Sequence, residues 1–371
     1  MNLSYWEKQT WFTNIDFTIV GSGIVGLHCA LELRKKHPKA KILILEKGTL
    51  PEGASTKNAG FACFGSISEI LDDLQNQPQQ AVLDLVKKRQ KGIELLRKNL
   101  GDSAIDYQQN GGYEVFLETD KTLYEHCIIQ IPTINQLFEN VFESKMFLQQ
   151  TQDFGFQKTF KTAILNPFEG QIDTGKMMKA LLQQAIANNI LILNHQEVVD
   201  HSDQKNHVEV SLKDFTFQTQ KLFFATNGFA QTLTNNEVKP ARAQVLITEP
   251  IANLKLKGTF HLDQGYYYFR NIGNRVLLGG GRNLDFEGEN TSKIGTTNLI
   301  QNRLEDLLKN VILPQHDFKI EQRWSGIMGM GENKNPIVKP LSENVFCGVR
   351  LGGMGVAIGS LVGTELAHLY S

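Results

Sequence analysis

Three glycines near the N-terminus have the spacing of a dinucleotide-binding turn. Gly21, Gly23 and Gly26 stand between an apolar run and a predicted helix, and Glu46 ends the next apolar run. In such a turn the first glycine permits a tight bend, the second lets the backbone approach a pyrophosphate, and the third lets helix and strand pack closely. An acidic residue about 20 positions further on binds ribose hydroxyl groups. These four residues therefore predict a dinucleotide without a 2′-phosphate.

A second glycine-rich segment lies late in the chain and also precedes a predicted helix. Residues 352–355 read Gly-Gly-Met-Gly. A helix N-terminus presents free N–H groups and the positive end of the helix dipole, so this segment could stabilise negative charge on a ligand. Arg350 ends the strand that enters the segment, and its guanidinium could bind a carboxylate or a carbonyl. The alternative is a surface arginine in a salt bridge.

The elements that must position these residues alternate between strand and helix at the start of the chain. A strand is predicted over 15–20, a helix over 24–36 and a second strand over 41–46. This order predicts a parallel sheet. Further helices are predicted over 79–100 and 174–188 from their apolar spacing.

The middle of the chain has a different pattern. Runs such as "GYYYFRN" and "NRVLLGGG" are rich in β-branched and aromatic residues and are separated by turn residues, which predicts antiparallel strands. The segment "KLFFATNGFA" predicts another buried strand that runs into a glycine turn. We therefore expect an α/β protein, α+β overall, with a nucleotide-binding domain made of separated segments and an inserted antiparallel sheet.

Composition limits the class of protein. The chain has 41% hydrophobic and 21% charged residues and a net charge of -1, which is typical of a soluble globular protein without a general attraction to nucleic acid or an anionic membrane. The four cysteines are widely spaced, and the histidines show no metal-type pattern. We therefore expect no disulfide framework, no metal site and a cytoplasmic location. No signal peptide or membrane span is predicted.

Several motifs, taken in order along the chain, resemble those of one flavoprotein family. The motifs are "SYW" at 4–6, "GAS-x-x-N-x-G" at 53–60, "NHQEVVD" around Val198, "FFATNGFA" at 223–230, "RVLLGGGRNLDFE" at 275–287, "RWSGIMG" at 323–329 and "GVRLGGMGVAIGSLVG" at 348–363. Together they resemble the FAD-dependent D-amino acid oxidase (DAO) superfamily, which includes glycine oxidase, sarcosine oxidase and γ-glutamylputrescine oxidase. The resemblance covers most of the chain.

The resemblance implies a Rossmann-like FAD-binding domain and a substrate-binding domain. We expect residues 1–80, 160–235 and 325–371 in the first domain and residues 81–159 and 236–324 in the second. It also implies a set of FAD-binding residues, with the flavin N1–C2=O edge at the late glycine loop. These residues are Gly21, Gly23, Ile24, Val25, Gly26, Glu46, Lys47, Ser55, Thr56, Asn58, Ala59, Gly60, Val198, Thr226, Asn227, Gly228, Gly326, Arg350, Gly352, Gly353, Met354, Gly355 and Val356.

Four positions depart from patterns found in the family. Some members attach FAD through a cysteine after the R-W-x-G motif, where this chain has residues 328–331 and no cysteine, so we expect non-covalent FAD. A lysine that speeds oxygen reduction in sarcosine oxidase aligns with the apolar strand around Leu277. Two carboxylate anchors of the family align with Met328 and Ala357, neither of which can bind a carboxylate.

The candidates for contact with substrate are Arg350, Arg282, Tyr266 and Tyr268. Period-two alternation on a predicted strand puts Tyr266 and Tyr268 on one face and Tyr267 on the other, and family members place tyrosines over the flavin. Ordinary sheet packing explains at least one tyrosine equally well.

Three functions are open at this point. The first is an FAD-dependent enzyme that oxidises the C–N bond of an amine or amino acid by hydride transfer to flavin N5, giving an imine, with oxygen or another acceptor. The second is a non-catalytic or regulatory flavoprotein. The third, a nicotinamide-dependent dehydrogenase, is disfavoured by the segment at 53–60. Substrate, acceptor and oligomeric state are left open.

Overall fold

The computed structural model describes residues 3–151, 153–234 and 237–370. The predicted domain boundary between residues 235 and 236 lies outside the described residues. The helices are α1 (Tyr5–Trp11), α2 (Ile24–Lys36), α3 (Ile67–Asn76), α4 (Gln79–Leu100), α5 (Asp102–Ile105), α6 (Lys121–Leu137), α7 (Thr174–Ala187), α8 (Asn298–Leu307) and α9 (Gly355–His368). Within the described ranges, none of them is long and apolar enough to cross a membrane.

The strands form two large sheets and one short pair. The strands are β1 (Ile15–Val20), β2 (Ile42–Leu45), β3 (Phe61–Ala62), β4 (Gly112–Glu114), β5 (Leu148–Thr151), β6 (Thr162–Asn166), β7 (Gly170–Gln171), β8 (Leu191–Leu193), β9 (Val198–Gln204), β10 (His207–Leu212), β11 (Thr216–Phe224), β12 (Lys239–Thr248), β13 (Thr259–Leu262), β14 (Tyr267–Ile272), β15 (Arg275–Gly280), β16 (Ile320–Met330), β17 (Ile337–Pro340) and β18 (Val345–Val349).

The first sheet has a parallel centre. Strands β8, β2, β1, β11 and β18 run parallel in that order, and β17 adds an antiparallel edge. The side chains of β2 are buried throughout, as expected when both faces of a parallel sheet are covered. Helices α2, α7 and α9 cover one face. The antiparallel strands β9 and β10 extend from β11 and bring apolar residues to the core on the other face.

The second sheet is mainly antiparallel, in the order β16, β12, β15, β14, β13, β4, β6, β5. Its only parallel pair among the described strands is β13 with β4. Apolar side chains of α8, including Ile300 and Leu304, pack on this sheet. The predicted fold class, an α/β arrangement with an additional antiparallel sheet, is confirmed.

The predicted helices agree closely with the observed ones. The helix expected over 24–36 is α2, the helix expected over 79–100 is α4, and the helix expected over 174–188 is α7. The domain boundaries stay a prediction. Strand β6 belongs to the second sheet although it was assigned to the FAD-binding domain, and β16 crosses the expected boundary at 325.

Candidate functional site

A cavity of about 1140 Å³ takes its lining from both sheets. The glycine turn after β1 and the end of β2 contribute residues on one side. Strands β13, β14 and β16 contribute residues on the other, and the loop before α9 also lines the cavity. In open α/β sheets, ligands bind at the carboxyl ends of the parallel strands, and this cavity lies beyond the ends of β1, β2 and β11.

The glycine turn has no room for side chains at two of its three glycines. Gly21 has a φ of 103°, and a Cβ there would lie 2.9 Å from the carbonyl oxygen of Ala225. A Cβ on Gly26 would lie 2.0 Å from the carbonyl oxygen of Gly21. Helix α2 therefore starts directly against β1, with its N-terminus at the cavity. Its first N–H group, on Ile24, donates to the hydroxyl of Ser55 at 3.0 Å.

Glu46 directly follows β2, which ends at Leu45, and lies buried at the cavity. One carboxylate oxygen accepts hydrogen bonds from the Ser22 backbone N–H at 3.1 Å and from the Ser22 hydroxyl at 2.8 Å. The other accepts from the Gly48 N–H at 3.0 Å. The carboxylate thus holds the glycine turn, and its remaining lone pairs can accept further donors from a ligand.

The segment after β2 is a compact loop held by its own side chains. Asn58 donates to the carbonyl of Ser55 at 2.8 Å, and its side-chain oxygen accepts from the Gly60 N–H at 2.9 Å. Thr56 donates to the Pro51 carbonyl and is absent from the cavity lining. Ser55, Asn58, Ala59 and Gly60 line the cavity. Thr56 therefore shapes the loop from behind, and the other four face the cavity.

The loop before α9 carries an unusual backbone. Arg350 has a φ of 65° and Gly352 a φ of 57°, both in the left-handed region that favours glycine. Side chain and backbone contacts hold this conformation: Asn227 accepts from the Leu351 N–H at 3.1 Å, and the Gly352 N–H donates to the Gly329 carbonyl at 3.0 Å. Helix α9 begins at Gly355 without a side-chain cap, so its positive end faces the cavity.

The remaining expected cofactor residues fall into two groups. Those that line the cavity are Gly21, Gly23, Ile24, Val25, Glu46, Lys47, Val198, Thr226, Asn227, Gly326, Arg350, Gly352, Gly353, Met354, Gly355 and Val356. Gly26 and Gly228 do not line it. A Cβ on Gly228 would lie 2.5 Å from the Met328 carbonyl oxygen, so this glycine permits close packing of two backbone segments.

Arg350 lines the cavity, but its guanidinium is engaged by the protein. Its Nε donates to the Asn335 carbonyl at 2.8 Å and its Nη2 to the Asn333 side chain at 3.0 Å. Partial burial lowers the pKa of Arg350, and the charges of Glu237 and Glu332 oppose that shift. Both partners are neutral, so the positive charge is not cancelled by a directly bonded carboxylate.

The tyrosines differ in part from the prediction. Tyr266 precedes β14 in a turn instead of lying on the strand, and it is 39% exposed. The turn exists because Gly265 and the residues before it adopt positive φ angles. Tyr268 lines the cavity, contacts the Phe61 ring at 5.6 Å, and has its pKa raised to about 12 by burial. Tyr267 points into the core of the second sheet.

Arg282 also lines the cavity at its outer part. Its guanidinium lies over the Phe286 ring at 4.9 Å and donates to the Asn290 side chain at 2.6 Å. Among the residues that the structure describes, its buried Nε atom has no hydrogen-bond partner. Burial lowers the pKa of Arg282, while Tyr266 and Glu289 act in the opposite direction.

The positions that depart from family patterns lie in different places. Met328 lines the cavity, whereas Ala357 is buried with its carbonyl against Gly92. Leu277 and Cys347 are buried and do not line the cavity. The cavity cysteine is Cys63, which sequence reasoning did not single out.

Sequence reasoning also missed a polar group on the cavity wall. His261 on β13 and Glu69 on α3 line this wall, and Glu169 before β7 and Glu114 on β4 lie close behind them. Burial raises the pKa of Glu114 to about 7. Burial disfavours the charged form of His261, but its contact with Glu169 and the charges of the surrounding carboxylates raise its pKa. No sequence spacing connects these residues, because they come from four separate elements.

The family follows from a comparison with protein-family models. The model described as "FAD dependent oxidoreductase", named DAO, matches residues 16–369. The chain belongs to the DAO family of FAD-dependent oxidoreductases. The resemblance inferred from the motifs is therefore confirmed.

The chain is also similar to individual proteins and to solved structures. The Haemophilus influenzae protein named "Probable oxidoreductase OrdL" is 21% identical over 97% of this chain and 83% of its own length. The crystal structure of L-proline dehydrogenase from P. horikoshii has a TM-score of 0.74, with 17% identity over 96% of this chain and 93% of that one. Glycine oxidase from Geobacillus kaustophilus has a TM-score of 0.72, with 19% identity over 96% and 95%.

The DAO-family site fits a flavin dinucleotide on structural grounds. A turn that excludes side chains at Gly21 and Gly26 leaves the N-terminus of α2 open to a pyrophosphate. Glu46 is a buried acceptor beside the glycine turn, and the uncapped α9 offers N–H groups to an anionic edge. These features would hold the two ends of FAD in one cavity.

Proposed function

We propose that the protein oxidises the C–N bond of an amine or amino acid with non-covalent FAD. The observation that carries the proposal is the single cavity that joins the Glu46 side of the glycine turn to Tyr268 on the second sheet. The chemistry that FAD supplies when bound is acceptance at N5 of a hydride from the carbon next to the substrate nitrogen, which gives an imine. The protein supplies binding, orientation and electrostatic stabilisation.

The roles proposed for the side chains follow from their positions. The N-terminus of α9 and residues 352–355 would stabilise negative charge at the flavin N1–C2=O edge. Tyr268, half-buried beside Phe61, would form a wall of the substrate pocket. Tyr266 and Arg282 lie at its more exposed part and would contact the distal portion of a substrate.

The names of similar proteins support the choice of substrate class. One relative by fold is an L-proline dehydrogenase and another is a glycine oxidase, so both names give an amino acid as the substrate. A panel of amines and amino acids should be tested anaerobically for bleaching of the bound flavin, because this measurement does not depend on the acceptor. Bleaching by at least one amine supports the proposal, and an unbleached flavin across a broad panel contradicts it.

A non-catalytic flavoprotein is the second candidate. Met328 favours this candidate, because it lines the cavity at a position where the family has a carboxylate anchor. In that case FAD would bind fully, yet no member of the panel would reduce it. We further expect a cytoplasmic location, because the four cysteines are free thiols.

We predict that Arg350 anchors a substrate carboxylate. Arg350→Ala should raise the KM for a carboxylate-bearing substrate, equivalent to about 2 to 5 kcal/mol of binding for a desolvated charge pair, because its two present partners are neutral groups that a carboxylate can displace or join. The flavin spectrum and midpoint potential should change little. Steady-state kinetics and redox titration measure the two effects.

The control for this variant is Arg97→Ala, which removes a guanidinium paired with Asp102 on the surface and should leave KM unchanged. A lowered flavin potential with unchanged KM in Arg350→Ala would assign the side chain to the cofactor. If neither quantity changes, Arg350 only holds the loop at 333–335.

We predict that FAD is bound without a covalent bond. Cys347 is buried outside the cavity lining, and burial raises the pKa of the Cys63 thiol, so neither cysteine offers a ready thiolate to the flavin. Acid precipitation should release the yellow flavin into the supernatant. Flavin that stays with the precipitated protein would contradict this, and loss of that retention in Cys63→Ser would identify the attachment site.

We predict slow reoxidation of the reduced protein by oxygen. A cation near flavin N5 stabilises the superoxide-like charge that develops when reduced flavin meets oxygen. The strand position expected to carry it holds Leu277, which is buried and apolar. In stopped-flow experiments, reoxidation of the reduced protein by oxygen should therefore be slower than reduction by substrate. A faster reoxidation step would show that another cation stabilises the developing negative charge.

A further inference from the structure

His261 and Glu169 meet in a geometry that is poor for a hydrogen bond. Their side chains are 6% and 2% exposed, and the His261 Nε2 atom lies 3.6 Å from a carboxylate oxygen of Glu169. That distance exceeds the usual hydrogen-bond range of about 2.7 to 3.2 Å. Among the described residues, Nε2 has no hydrogen-bond partner, although leaving a buried polar atom unpaired is costly.

Cys63 supplies a third potential metal ligand beside His261 and Glu169. The sulfur of Cys63, a carboxylate oxygen of Glu169 and a ring nitrogen of His261 all lie within 4.8 Å of one another. Cysteine sulfur, histidine nitrogen and carboxylate oxygen are the ligand types of zinc sites. Two ligands held at about 2.0 to 2.2 Å from one tetrahedral ion stand roughly 3.4 Å apart. The observed separation of His261 and Glu169 is close to that value.

The surroundings hold the carboxylate in place. The second oxygen of Glu169 accepts from the Phe64 N–H at 2.9 Å, which orients the first oxygen towards His261. A Cβ on Gly112 would lie 1.9 Å from that first oxygen, so a glycine is needed to make room for it. Outer contacts of this kind fix the direction of metal ligands.

The charges near the three potential metal ligands favour a cation. Glu69 and Glu114 place negative charge near His261. Arg89, which donates to the Phe64 carbonyl, is a positive group beside Cys63. Lys334 acts on Glu69 but is paired with Asp73 at 2.7 Å. The carboxylates outnumber the positive groups around His261, so a divalent ion would reduce the imbalance.

We propose that Cys63, Glu169 and His261 bind a divalent transition-metal ion of the zinc type. All but Glu169 line the cavity, so the fourth position of a tetrahedral ion would be open to water or a small ligand. Metal binding would convert the Cys63 thiol to a thiolate and release its proton to solvent. The site includes no residue of the glycine turn, but the Cys63 sulfur lies 3.4 Å from the Met354 sulfur, so the site borders the expected FAD-binding loop before α9.

The test uses the FAD-bound protein. After loading with Zn²⁺ and desalting, elemental analysis should find about one zinc ion per chain. Titration with Co²⁺ should produce ligand-field bands at wavelengths beyond the flavin absorption, with the intensity of a tetrahedral thiolate-containing site. Neither measurement depends on amine oxidation, so the result stands whether or not the proposed activity is found.

Three variants and one control locate the site. Cys63→Ser, Glu169→Gln and His261→Gln should each weaken Zn²⁺ binding by more than about 100-fold, since even outer-contact changes cost 10- to 100-fold. Cys347→Ser, which alters a buried thiol of β18 outside the cavity lining, should bind zinc like the unaltered protein. Bound FAD and circular dichroism verify the fold of each variant. Substoichiometric zinc in the unaltered protein, or equal binding by folded variants, would overturn the proposal and leave a buried ion pair.

Discussion

Gly26→Ala should yield protein that cannot retain FAD. The added methyl group would lie 2.0 Å from the Gly21 carbonyl oxygen and 3.1 Å from its carbon, and both atoms are backbone atoms that cannot move aside by changing rotamer. Helix α2 must therefore shift away from β1, which opens the turn that would hold the pyrophosphate. Overpacking of this kind costs about 1 to 3 kcal/mol, occasionally more. The ratio of flavin to protein absorbance after purification measures the effect.

The matched control is Gly53→Ala. Gly53 also lines the cavity, but a Cβ there meets no atom within 4 Å, and its φ of -70° suits any residue. This variant should retain FAD and thermal stability. Full FAD occupancy in Gly26→Ala would mean that α2 can move without disturbing the nucleotide site.

Removal of the Glu46 carboxylate should have the second largest effect. Glu46→Ala leaves the backbone N–H groups of Ser22 and Gly48 without their acceptor in a buried position. Hydrogen bonds to a charged group contribute about 1.5 to 3 kcal/mol each. We therefore expect lower FAD occupancy together with a loss of roughly 2 to 4 kcal/mol in the free energy of unfolding. Flavin content and denaturant unfolding measure the two quantities.

Glu197→Ala is the control for this change. Glu197 also lines the cavity but is exposed, so its removal deletes the same charge without unpairing buried donors. If Glu46→Ala keeps full FAD occupancy despite reduced stability, the carboxylate serves the turn alone and does not bind ribose.

The local elements of the fold could be predicted because their signals are local. The apolar spacing of α2 and α4 gave both helices their observed bounds, since 3.6-residue periodicity depends only on nearby residues. The glycine turn was equally predictable, because steric exclusion at Gly26 acts between residues that are close in sequence.

The surroundings of the candidate site could not be predicted in the same way. Tyr266 was expected on a strand, but the positive φ angles of the preceding turn delay the strand by one residue. The partners of Arg350 come from the loop at 333–335, for which no motif exists. Cys63 follows β3 and His261 lies on β13, so the two residues are neighbours only in the tertiary structure. Contacts of this kind depend on tertiary packing, which sequence periodicity does not describe.

The parallel centre of the first sheet has a consequence for how the protein acquires its structure during synthesis. Strand β11 lies between β1, made early, and β18, made late, and α9 packs against α2. Because many stabilising contacts join segments distant in sequence, folding should be slow and dominated by loop-closure entropy. A nascent chain would expose the apolar face of α2 to chaperones until α9 left the ribosome, and FAD could associate stably only after that step.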